Sequence, residues 1–571
     1  MDILRDFGID KCIVWRGCSD DIPCNFKWCG TDTVNLVRGY FNDVFSVKAE
    51  MSEKAEMLKK TLDLISEKSD GKYLLLPIGA DHLGVETDIA EQIAYMNEML
   101  KDDYYITLGS PFDYFARVEN SFSEYRTNDE LRDNSKTFTL QGCYSSRLDL
   151  KRLNTECMYK LDLVTRLVKQ QKEIVYDNVI EYAYKMLLQN QAHDSICGCS
   201  TDEVHRENKI RYAKILQIAD GIIDEIKFKN GFNNKRILNL SGKHYSGMVE
   251  FESAELLEGY EKIGVRKGFD KYLLSDTQRI PVTEDYNKIY TYLTPVANLE
   301  SYELEYIMPY YLKSDLIVSS DGIENNKISL KVKNGQIYIN GIKLKLKDFK
   351  DLGDSYNFAP DKEDKGVEFE VIRTTVTLNT QTRAVLKIDL EGAWDIVPLY
   401  VTLDKNSSYL KLSFEWENTR KNHILYACFR LEDWINEVCS EDMNTLIKRS
   451  FDSGYDIRKN LPKDKGIEVK NNTAPMQRGL LIDEDGNNIG VITKGLTQYE
   501  VFENNLMIPI LRATGQISNP KNPARTTPAG PPIETEDSQM IGQNTAEMYV
   551  FFGNENAFYE TLNQVYNYII V

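Results

Sequence analysis

The chain has 571 residues, which is long enough for several domains, and 42% of them are hydrophobic, which is enough for packed cores. Its 69 basic and 88 acidic side chains give a net charge of −19. Because phosphate-backbone binding needs concentrated positive charge, this balance argues against a nucleic-acid binder and against docking on an anionic membrane. No apolar run is long enough to cross a bilayer, and the first ten residues carry charges where a signal peptide needs its apolar core.

The ten cysteines are too sparse for a disulfide scaffold. Most of them lie within predicted helices or strands rather than in loops. We therefore expect a reducing, cytoplasmic location.

Residues 1–115 show an α/β pattern. A strand is predicted at 11–15 and helices are predicted at 49–68 and 89–100. The apolar run 73–78 (YLLLPI) predicts a strand buried on both faces, and 104–108 predicts another. Because so few strands do not close a sheet, we expect the C-terminal part of a parallel β/α catalytic domain whose front half is absent.

Residues 116–230 show helical periodicity and predict a three-helix bundle. The apolar stripes are Leu153, Leu161, Val164 and Val168, then Val179, Ile180, Ala183, Met186 and Leu187, then Val204, Tyr212, Ile215, Ala219, Ile222 and Ile226. Residues 200–203 (STDE) predict a capping box at the start of the third helix.

Residues 235–571 show strand periodicity and predict a large antiparallel β-sandwich region. Within 332–346, Asn334-Gly335 and Asn340-Gly341 predict hairpin turns. Half-buried strands are predicted at 375–389, 399–403, 409–416 and 490–501. The predicted fold class is therefore multidomain, in the order α/β, α and β.

The segment 190–199 (NQAHDSICGC) concentrates polar residues between two predicted helices. His193 beside Asp194 could bind a metal or a polar ligand, and the alternative is a capping turn with a hydrogen-bonded histidine. Cys197 and Cys199 would add thiols to a zinc site, but Cys-x-Cys with one histidine is a weak zinc signal, and packing is favoured. His205, on the following helix, is predicted to face solvent.

Asp81 lies in the motif GADH, directly after the apolar run 73–78. Since the carboxyl ends of parallel strands collect catalytic groups, Asp81 is a candidate general acid/base. The alternative is an N-cap for a helix that starts near Val85.

Two arginines are further candidates. Arg147, in the motif GCYSSR, could bind a ligand carboxylate or could pair with Asp149 or Glu156. Arg16 follows Trp15 at the end of the first predicted strand, an arrangement that suits a sugar or carboxylate pocket, although aromatic packing is the commoner explanation.

These motifs occur together in the order found in one enzyme family. The chain resembles the retaining α-mannosidases of glycoside hydrolase family 38, above all their bacterial members. The motifs that carry this resemblance are ILRDFGIDKCIVWRG, PIGADH, GCYSSR, NQAHDSICGCSTDEVH, GDSYNF, KGLTQYEV, ILRATG and TTPAGPPIETEDSQMIG.

The resemblance implies a zinc-assisted double displacement on mannosides or oligomannose, and it implies roles for single residues. His193 matches a zinc ligand, and Asp194 matches the carboxylate that binds sugar hydroxyls beside the metal. Asp81 matches the acid/base. Arg16 matches an arginine near the nucleophile, and Tyr356 matches a sandwich-domain tyrosine that reaches into the pocket.

The family's remaining zinc ligands and its nucleophile lie upstream of the motif that matches the start of this chain. Of four expected zinc ligands only His193 is present, so we expect the isolated chain to be inactive. We also expect either poor solubility or a partner, which could be a missing N-terminal fragment or a second copy in a homo-oligomer. The alternatives are one half of a split enzyme, a non-catalytic carbohydrate-binding or scaffold remnant, and a zinc protein that uses Cys197, Cys199 and His193.

Overall fold

The computed structural model describes residues 2–39, 42–69, 71–81, 83–119, 121–127, 130–231, 236–274, 279–302, 304–307, 314–393, 395–461, 467–482 and 488–571. The chain divides into two units. Unit 1 consists of Met1–Thr139, Pro462–Lys470 and Arg525–Thr527, and unit 2 consists of Leu140–Leu461, Asn471–Ala524 and Pro528–Val571. The part of the chain that the structure describes contains no helix that is long and apolar enough to span a membrane.

Unit 1 contains a mixed sheet and short helices. Its elements are α1 (Asp2–Asp6), β1 (Lys11–Val14), β2 (Asn25–Trp28), β3 (Thr31–Asn35), α2 (Met51–Ser66), α3 (Ile89–Met99), α4 (Pro111–Arg117) and β4 (Ser123–Thr127). The strand order is β1-β3-β2-β4, with β1–β3 and β2–β4 parallel and β2–β3 antiparallel. Leu58 and Leu62 of α2 pack against Ile93 and Met96 of α3, as the apolar spacing predicts.

The predicted strands at 73–78 and 104–108 are wrong, because neither run pairs with a strand in the described residues. Both ends of the first run, Tyr73 and Ile78, are exposed, so the run is not buried on both faces. In the second run, the Asn97 side chain replaces a neighbouring strand: its amide donates to the Ile106 carbonyl (3.0 Å), and its oxygen accepts from the Ile106 N–H (2.7 Å). An apolar run indicates contact with a core, and it does not by itself supply a strand partner.

The helical part of unit 2 confirms the predicted bundle. Its helices are α5 (Leu148–Gln171), α6 (Asp177–Asn190), the short α7 (His193–Ile196) and α8 (Asp202–Lys229). One core contains most of the three predicted stripes, including Leu161, Ala183 and Tyr212. Val179 and Val204 are exceptions, because both are exposed.

The remainder of unit 2 is almost entirely β structure. Its elements are β5 (Arg236–Asn239), β6 (Tyr245–Ser253), β7 (Glu261–Leu274), β8 (Arg279–Leu299), β9 (Leu304–Tyr306), β10 (Ile317–Ser319), β11 (Gly322–Glu324), β12 (Ser329–Lys333), β13 (Gln336–Ile339), β14 (Ile342–Lys350), β15 (Val367–Glu368), β16 (Glu370–Asn379), β17 (Arg383–Glu391), β18 (Ile396–Asp404), β19 (Tyr409–Asn418), β20 (His423–Arg430), β21 (Glu437–Asp442), β22 (Thr445–Ser450), β23 (Thr473–Pro475), β24 (Gly479–Ile482), β25 (Ile489–Thr493), β26 (Gln498–Phe502), β27 (Asn505–Ala513), β28 (Gly542–Phe552), α9 (Glu555–Val565) and β29 (Ile569–Ile570).

Two large sheets form the predicted sandwich. Among the described residues, one sheet has ten strands, in the order β10-β11-β12-β13-β14-β20-β27-β26-β23 with β15 beside β14. The other has nine strands, in the order β16-β17-β18-β19-β28-β25-β24-β21-β22. Leu344 and Phe429 of the first sheet share a core with Leu386 and Leu412 of the second. Two smaller sheets are β29-β5-β9 and β6-β8-β7.

The two Asn-Gly pairs are at the turns where they were predicted, between β12 and β13 and between β13 and β14. All four turn residues have positive φ, which is the conformation that such hairpin turns need. Two predicted strands were too long, because 375–389 is divided between β16 and β17 and 490–501 between β25 and β26. In each case a short turn falls inside one apolar pattern.

Candidate active site

The turn between α6 and α8 in unit 2 places His193 and Asp194 on the surface. The His193 side chain is 91% exposed and the Asp194 side chain is 59% exposed. Their nearest polar atoms, Nε2 of His193 and Oδ1 of Asp194, are 3.5 Å apart. An imidazole and a carboxylate are thus presented side by side, and both can take up a ligand.

Buried polar groups hold the backbone of this turn. The Lys151 Nζ donates to the carbonyl oxygens of Ser146 (2.5 Å) and Ile196 (2.8 Å). At the end of α6, the fully buried Asn190 donates from its amide to the Asn208 carbonyl (2.9 Å). Because these buried groups satisfy backbone carbonyls from inside the bundle, they fix the position of the turn from which the exposed side chains of His193 and Asp194 extend.

The prediction that His205 faces solvent is wrong. Its side chain is 1% exposed, and its Nε2 accepts a hydrogen bond from the Ser200 N–H (3.1 Å). Burial, assisted by the charges of Arg147 and Lys151, lowers the pKa of His205 to about 3, so the ring is neutral. The predicted capping box that starts at Ser200 is wrong, because the N-cap of α8 is Thr201. The Ser200 N–H is bound by the His205 imidazole instead.

The signal for this burial was present in the sequence. His205 is spaced three or four residues from Asn208, Tyr212 and Ile215 in turn, and all of these are buried on one face of α8. A polar residue on an apolar stripe points into the core whatever its type.

Arg147 pairs with a residue other than those predicted. Its guanidinium is 2% exposed and donates to Oδ1 of Asp202 in the first turn of α8 (2.5 Å), whereas Asp149 and Glu156 were the expected partners. The second oxygen of Asp202 accepts from the Asp537 N–H (3.1 Å). This buried ion pair joins the start of α5, the start of α8 and the loop before β28.

Three thiols lie beneath the turn. The Sγ atoms of Cys143 and Cys199 are 3.5 Å apart, and Cys199 is buried. A hydrogen bond with Cys143, together with burial, raises the pKa of the Cys197 thiol. The raised pKa of Cys197 disfavours the thiolate that a metal needs, and the His193 side chain is 91% exposed whereas Cys199 is buried, so the structure favours packing over a zinc site.

Tyr356 lies close to this turn within unit 2. Burial raises the pKa of its hydroxyl, and the negative charge of Asp194 contributes to the shift. Its backbone carbonyl accepts from the Gly142 N–H (2.8 Å), and Oδ1 of Asp354 accepts from its N–H (3.0 Å). A Cβ at Gly530 would lie 2.9 Å from the phenol oxygen, so a side chain there would obstruct the hydroxyl.

The fully buried Arg512 fixes the loop that carries Tyr356. Its Nη1 donates to the Gly142 carbonyl (2.8 Å), and its Nη2 donates to the Asp354 carbonyl (2.5 Å). Its Nε donates to Asp351 (2.9 Å), so one guanidinium links β27 to both segments. The motifs GCYSSR, GDSYNF and ILRATG, which are far apart in sequence, meet at this arginine.

The described residues do not fit a zinc ion. They contain no group of three or more His, Cys, Asp or Glu side chains that could hold a metal. His193 and Asp194 offer two donors, whereas protein zinc sites use three or four.

In unit 1, Arg16 follows β1 and is positioned by Trp15. The guanidinium carbon lies 5.3 Å from the centroid of the Trp15 ring, a cation–π distance. The ring in turn packs on Gly39, where a Cβ would lie 2.7 Å from it. Both the packing and the cation that were predicted here are therefore present.

Asp81 is exposed on a turn of unit 1. The turn follows a two-way backbone bridge, in which the N–H of each of Asn42 and Gly79 donates to the carbonyl of the other (2.9 and 3.0 Å). The alternative role as a helix N-cap is wrong, because α3 begins at Ile89 and its N-cap is Asp88. His82, the last residue of the motif, lies outside the described residues.

Several known proteins and one protein family resemble this chain. The family description "Alpha mannosidase middle domain" matches residues 139–227, which include the turn with His193 and Asp194. A protein of Halalkalibacterium halodurans, named "Putative mannosylglycerate hydrolase", is 23% identical over 90% of this chain. The chain spans 66% of the length of that relative.

Two solved structures from Enterococcus faecalis share the fold over 99% of this chain. One is described as an α-mannosidase, with a TM-score of 0.79 and 19% identity, and the chain covers 74% of it. The other is described as a protein of glycosyl hydrolase family 38, with a TM-score of 0.72 and 18% identity, and the chain covers 72% of it.

The chain thus shares the fold of these two proteins, in which a helical bundle and a large β-sandwich follow an α/β region. The middle-domain match, the curated relative and the two structures together support membership of glycoside hydrolase family 38. The resemblance seen in the sequence motifs is confirmed.

Proposed function

We propose that the chain acts in an α-mannosidase, a retaining glycosidase that removes terminal α-mannosyl residues from mannosides or oligomannose. The observation that carries this proposal is the exposed His193–Asp194 pair, on a turn held by the hydrogen bond from Lys151 to the Ile196 carbonyl, inside the segment that matches the mannosidase middle domain.

The proposed roles follow from the chemistry of each group. Asp194 can accept hydrogen bonds from sugar hydroxyls, and the protonated Tyr356 hydroxyl can donate one. Asp81 is proposed as the acid that protonates the departing glycosidic oxygen and as the base that later activates water. Arg16 would bind an acidic or hydroxyl group near the reacting carbon. A retaining enzyme also needs a nucleophilic carboxylate, and we assign none to this chain.

His193 is proposed to supply one ligand of a zinc site that the described residues do not complete by themselves. A cytoplasmic location and a partner for this chain are also proposals. All ten cysteines are free thiols in the structure, which supports a reducing compartment. The relative's name also makes mannosylglycerate a second candidate substrate.

The test measures hydrolysis and binding on the same protein. The purified protein is assayed with 4-nitrophenyl α-mannopyranoside, its gluco and galacto analogues, and mannosylglycerate. Binding of methyl α-mannopyranoside is followed by saturation-transfer NMR. Any hydrolysis that is measured should prefer mannosides, and Asp81→Asn should lower it at least about 100-fold while leaving binding intact. We expect Asp194→Asn to weaken binding about 10-fold.

The matched control is Phe228→Ala, which removes an aromatic side chain that is exposed at the end of α8 and should change neither readout. If the protein hydrolyses nothing, mannoside binding that depends on Asp194 still supports the sugar site. Faster cleavage of another glycoside, or no dependence of either readout on Asp194, would overturn the proposal. Binding without hydrolysis that is insensitive to both aspartates would favour the non-catalytic alternative.

A further inference from the structure

The outer face of the ten-stranded sheet in unit 2 carries a cavity of about 230 Å³. Side chains alternate along each strand, so Leu344 and Leu346 enter the sandwich core while Lys345, Lys347 and Phe349 line this cavity. The floor is completed by side chains of β20, β26 and β27. The walls come from the loop after β14 and from the loop at 455–458.

The floor of this outer-face cavity is largely apolar and aromatic. Phe358, Tyr426 and Met507 belong to one buried cluster, with Phe349 and Phe502 partly buried against it. The Tyr426 ring is held edge-on between Phe349 and Phe358, with centroid distances of 6.1 and 6.5 Å. Such a surface suits a ligand with a flat apolar face.

The cations of the cavity wall are already neutralised by the protein. Lys345 and Lys347 both approach the same carboxylate, Glu368. Arg458 is held by both oxygens of Asp456, at 2.9 and 3.1 Å. Because Lys345 and Lys347 share one carboxylate and Arg458 has its own, the protein largely offsets this positive charge, and the cavity selects neither an anion nor a cation strongly.

The exposed rim of the cavity repeats this balance, since it carries one residue of each sign, Arg430 and Glu503. Two of the aromatic rings are likewise approached by the protein's own cations, Lys347 at 5.1 Å from the centroid of Phe349 and Arg458 at 5.8 Å from that of Phe502. A cationic ligand would have to displace these side chains from the rings.

Two polar groups in the cavity have hydrogen-bonding capacity to spare. Glu500 accepts from the Tyr426 hydroxyl through Oε2 (2.8 Å), and its other oxygen has no hydrogen-bond partner among the residues described. The Asn471 oxygen accepts from the N–H (3.2 Å) and hydroxyl (2.6 Å) of Thr473, while the Asn471 NH₂ group has no partner in the same set. Burial raises the pKa of Glu500, so this acid suits an uncharged partner.

We propose that this outer-face cavity binds a single neutral sugar ring, at a site built from residues other than His193, Asp194 and Tyr356. A sugar ring offers an apolar C–H face for the aromatic floor and hydroxyl groups that can both donate to Glu500 and accept from Asn471. An aromatic floor combined with polar groups at fixed positions is a common composition of a small-molecule site.

The experiment uses methyl α-D-mannopyranoside as the probe, with the gluco and galacto methyl glycosides for comparison and tetramethylammonium and acetate as charged probes. Calorimetric titration is carried out on the whole protein and on its Asp194→Asn variant, which weakens the candidate active site. We expect sugar binding to persist in Asp194→Asn. Adding Phe502→Ala or Glu500→Gln should then weaken it at least about 10-fold.

Phe228→Ala in the same background is the aromatic control and should leave the titration unchanged, and far-UV circular dichroism checks that each variant folds. Sugar binding that is lost in Asp194→Asn and insensitive to Phe502→Ala would overturn the second site while supporting the proposed function. Tighter binding of either charged probe, or no sugar binding in the Asp194→Asn protein, would also overturn it.

Discussion

The two segments that carry the best candidate carboxylates, Asp194 in unit 2 and Asp81 in unit 1, are built in different ways. The turn that holds Asp194 rests on buried groups whose hydrogen bonds end on its backbone, among them Lys151 and His205. The turn that holds Asp81 follows one backbone bridge between Asn42 and Gly79.

Two sequence motifs of similar appearance are therefore held in place by different interactions, a buried hydrogen-bond network at Asp194 and a backbone bridge before Asp81. Buried polar networks are costly to disturb, because each lost partner leaves a desolvated group without a hydrogen bond. Substitutions beneath the Asp194 turn should therefore change stability as well as function.

The largest expected effect comes from breaking the buried ion pair beneath the Asp194 turn. Arg147→Met would leave Asp202 with its charge in a buried position, and removing one partner of a buried pair costs about 3–5 kcal/mol of the free energy of unfolding. Urea denaturation measures this loss.

Lys185→Met is the matched control, because Lys185 pairs with Glu181 (2.7 Å) on the exposed surface of α6 and both side chains are more than half exposed. Solvent screens such pairs, so no measurable change is expected. Equal stability of the two variants would mean that the buried pair does not hold the bundle to the turn.

A smaller effect should appear as a pH dependence caused by His205. The folded chain keeps this ring neutral down to about pH 3, whereas the unfolded chain protonates it near pH 6.5. Between these values the unfolded state binds more protons, so stability falls as the pH falls, by roughly 3 kcal/mol from pH 6.5 to pH 4.

His205→Gln should remove this part of the acid sensitivity, since glutamine retains a hydrogen-bond acceptor and has no charge to gain. Denaturation curves at several pH values give the slope for each protein. His244→Gln, at an exposed ion pair with Glu300, should keep the slope of the unmodified protein. Identical slopes for all three proteins would show that His205 is not held neutral.

His205 also shows how far the sequence can predict this molecule. Periodicity predicted the bundle and the sandwich correctly, since the spacing of apolar residues is set by helix and strand geometry. The same periodicity indicates that His205 is buried, because it falls on the stripe of Tyr212 and Ile215, whereas the polarity of histidine favours a position in solvent.

Partners far apart in the chain could not be predicted. Arg147 was expected to pair with a carboxylate nearby in sequence, yet its partner Asp202 lies 55 residues away on another helix. The run 73–78 was expected to be a strand because it is apolar, but strand formation depends on a neighbouring strand that local sequence does not specify. Local sequence patterns therefore predict helices and strands, whereas the arrangement of the candidate site depends on contacts between residues that are far apart in the chain.

The smallest expected effect comes from Gly→Ala substitutions at glycines that have nearly equal φ in the two units. Gly39 (φ +79°) in unit 1 and Gly198 (φ +78°) in unit 2 both lie under candidate site residues, and Gly335 (φ +71°) is in an open hairpin turn. Backbone strain in a Gly→Ala change should be similar at all three, about 1 kcal/mol, so differences between them report contacts of the added methyl group.

At Gly335 nothing lies within 4 Å, and strain alone is expected. At Gly198 the methyl group would lie 3.2 Å from Ser146 Oγ and 3.3 Å from the Arg147 side chain, so the cost should be higher. At Gly39 it would lie 2.7 Å from the Trp15 ring, which must move, and Arg16 with it. In thermal unfolding, the loss of stability should be largest for Gly39→Ala, smaller for Gly198→Ala and smallest for Gly335→Ala. A loss for Gly335→Ala as large as that for Gly198→Ala would show that the turn beneath Asp194 is less tightly packed than its hydrogen bonds indicate.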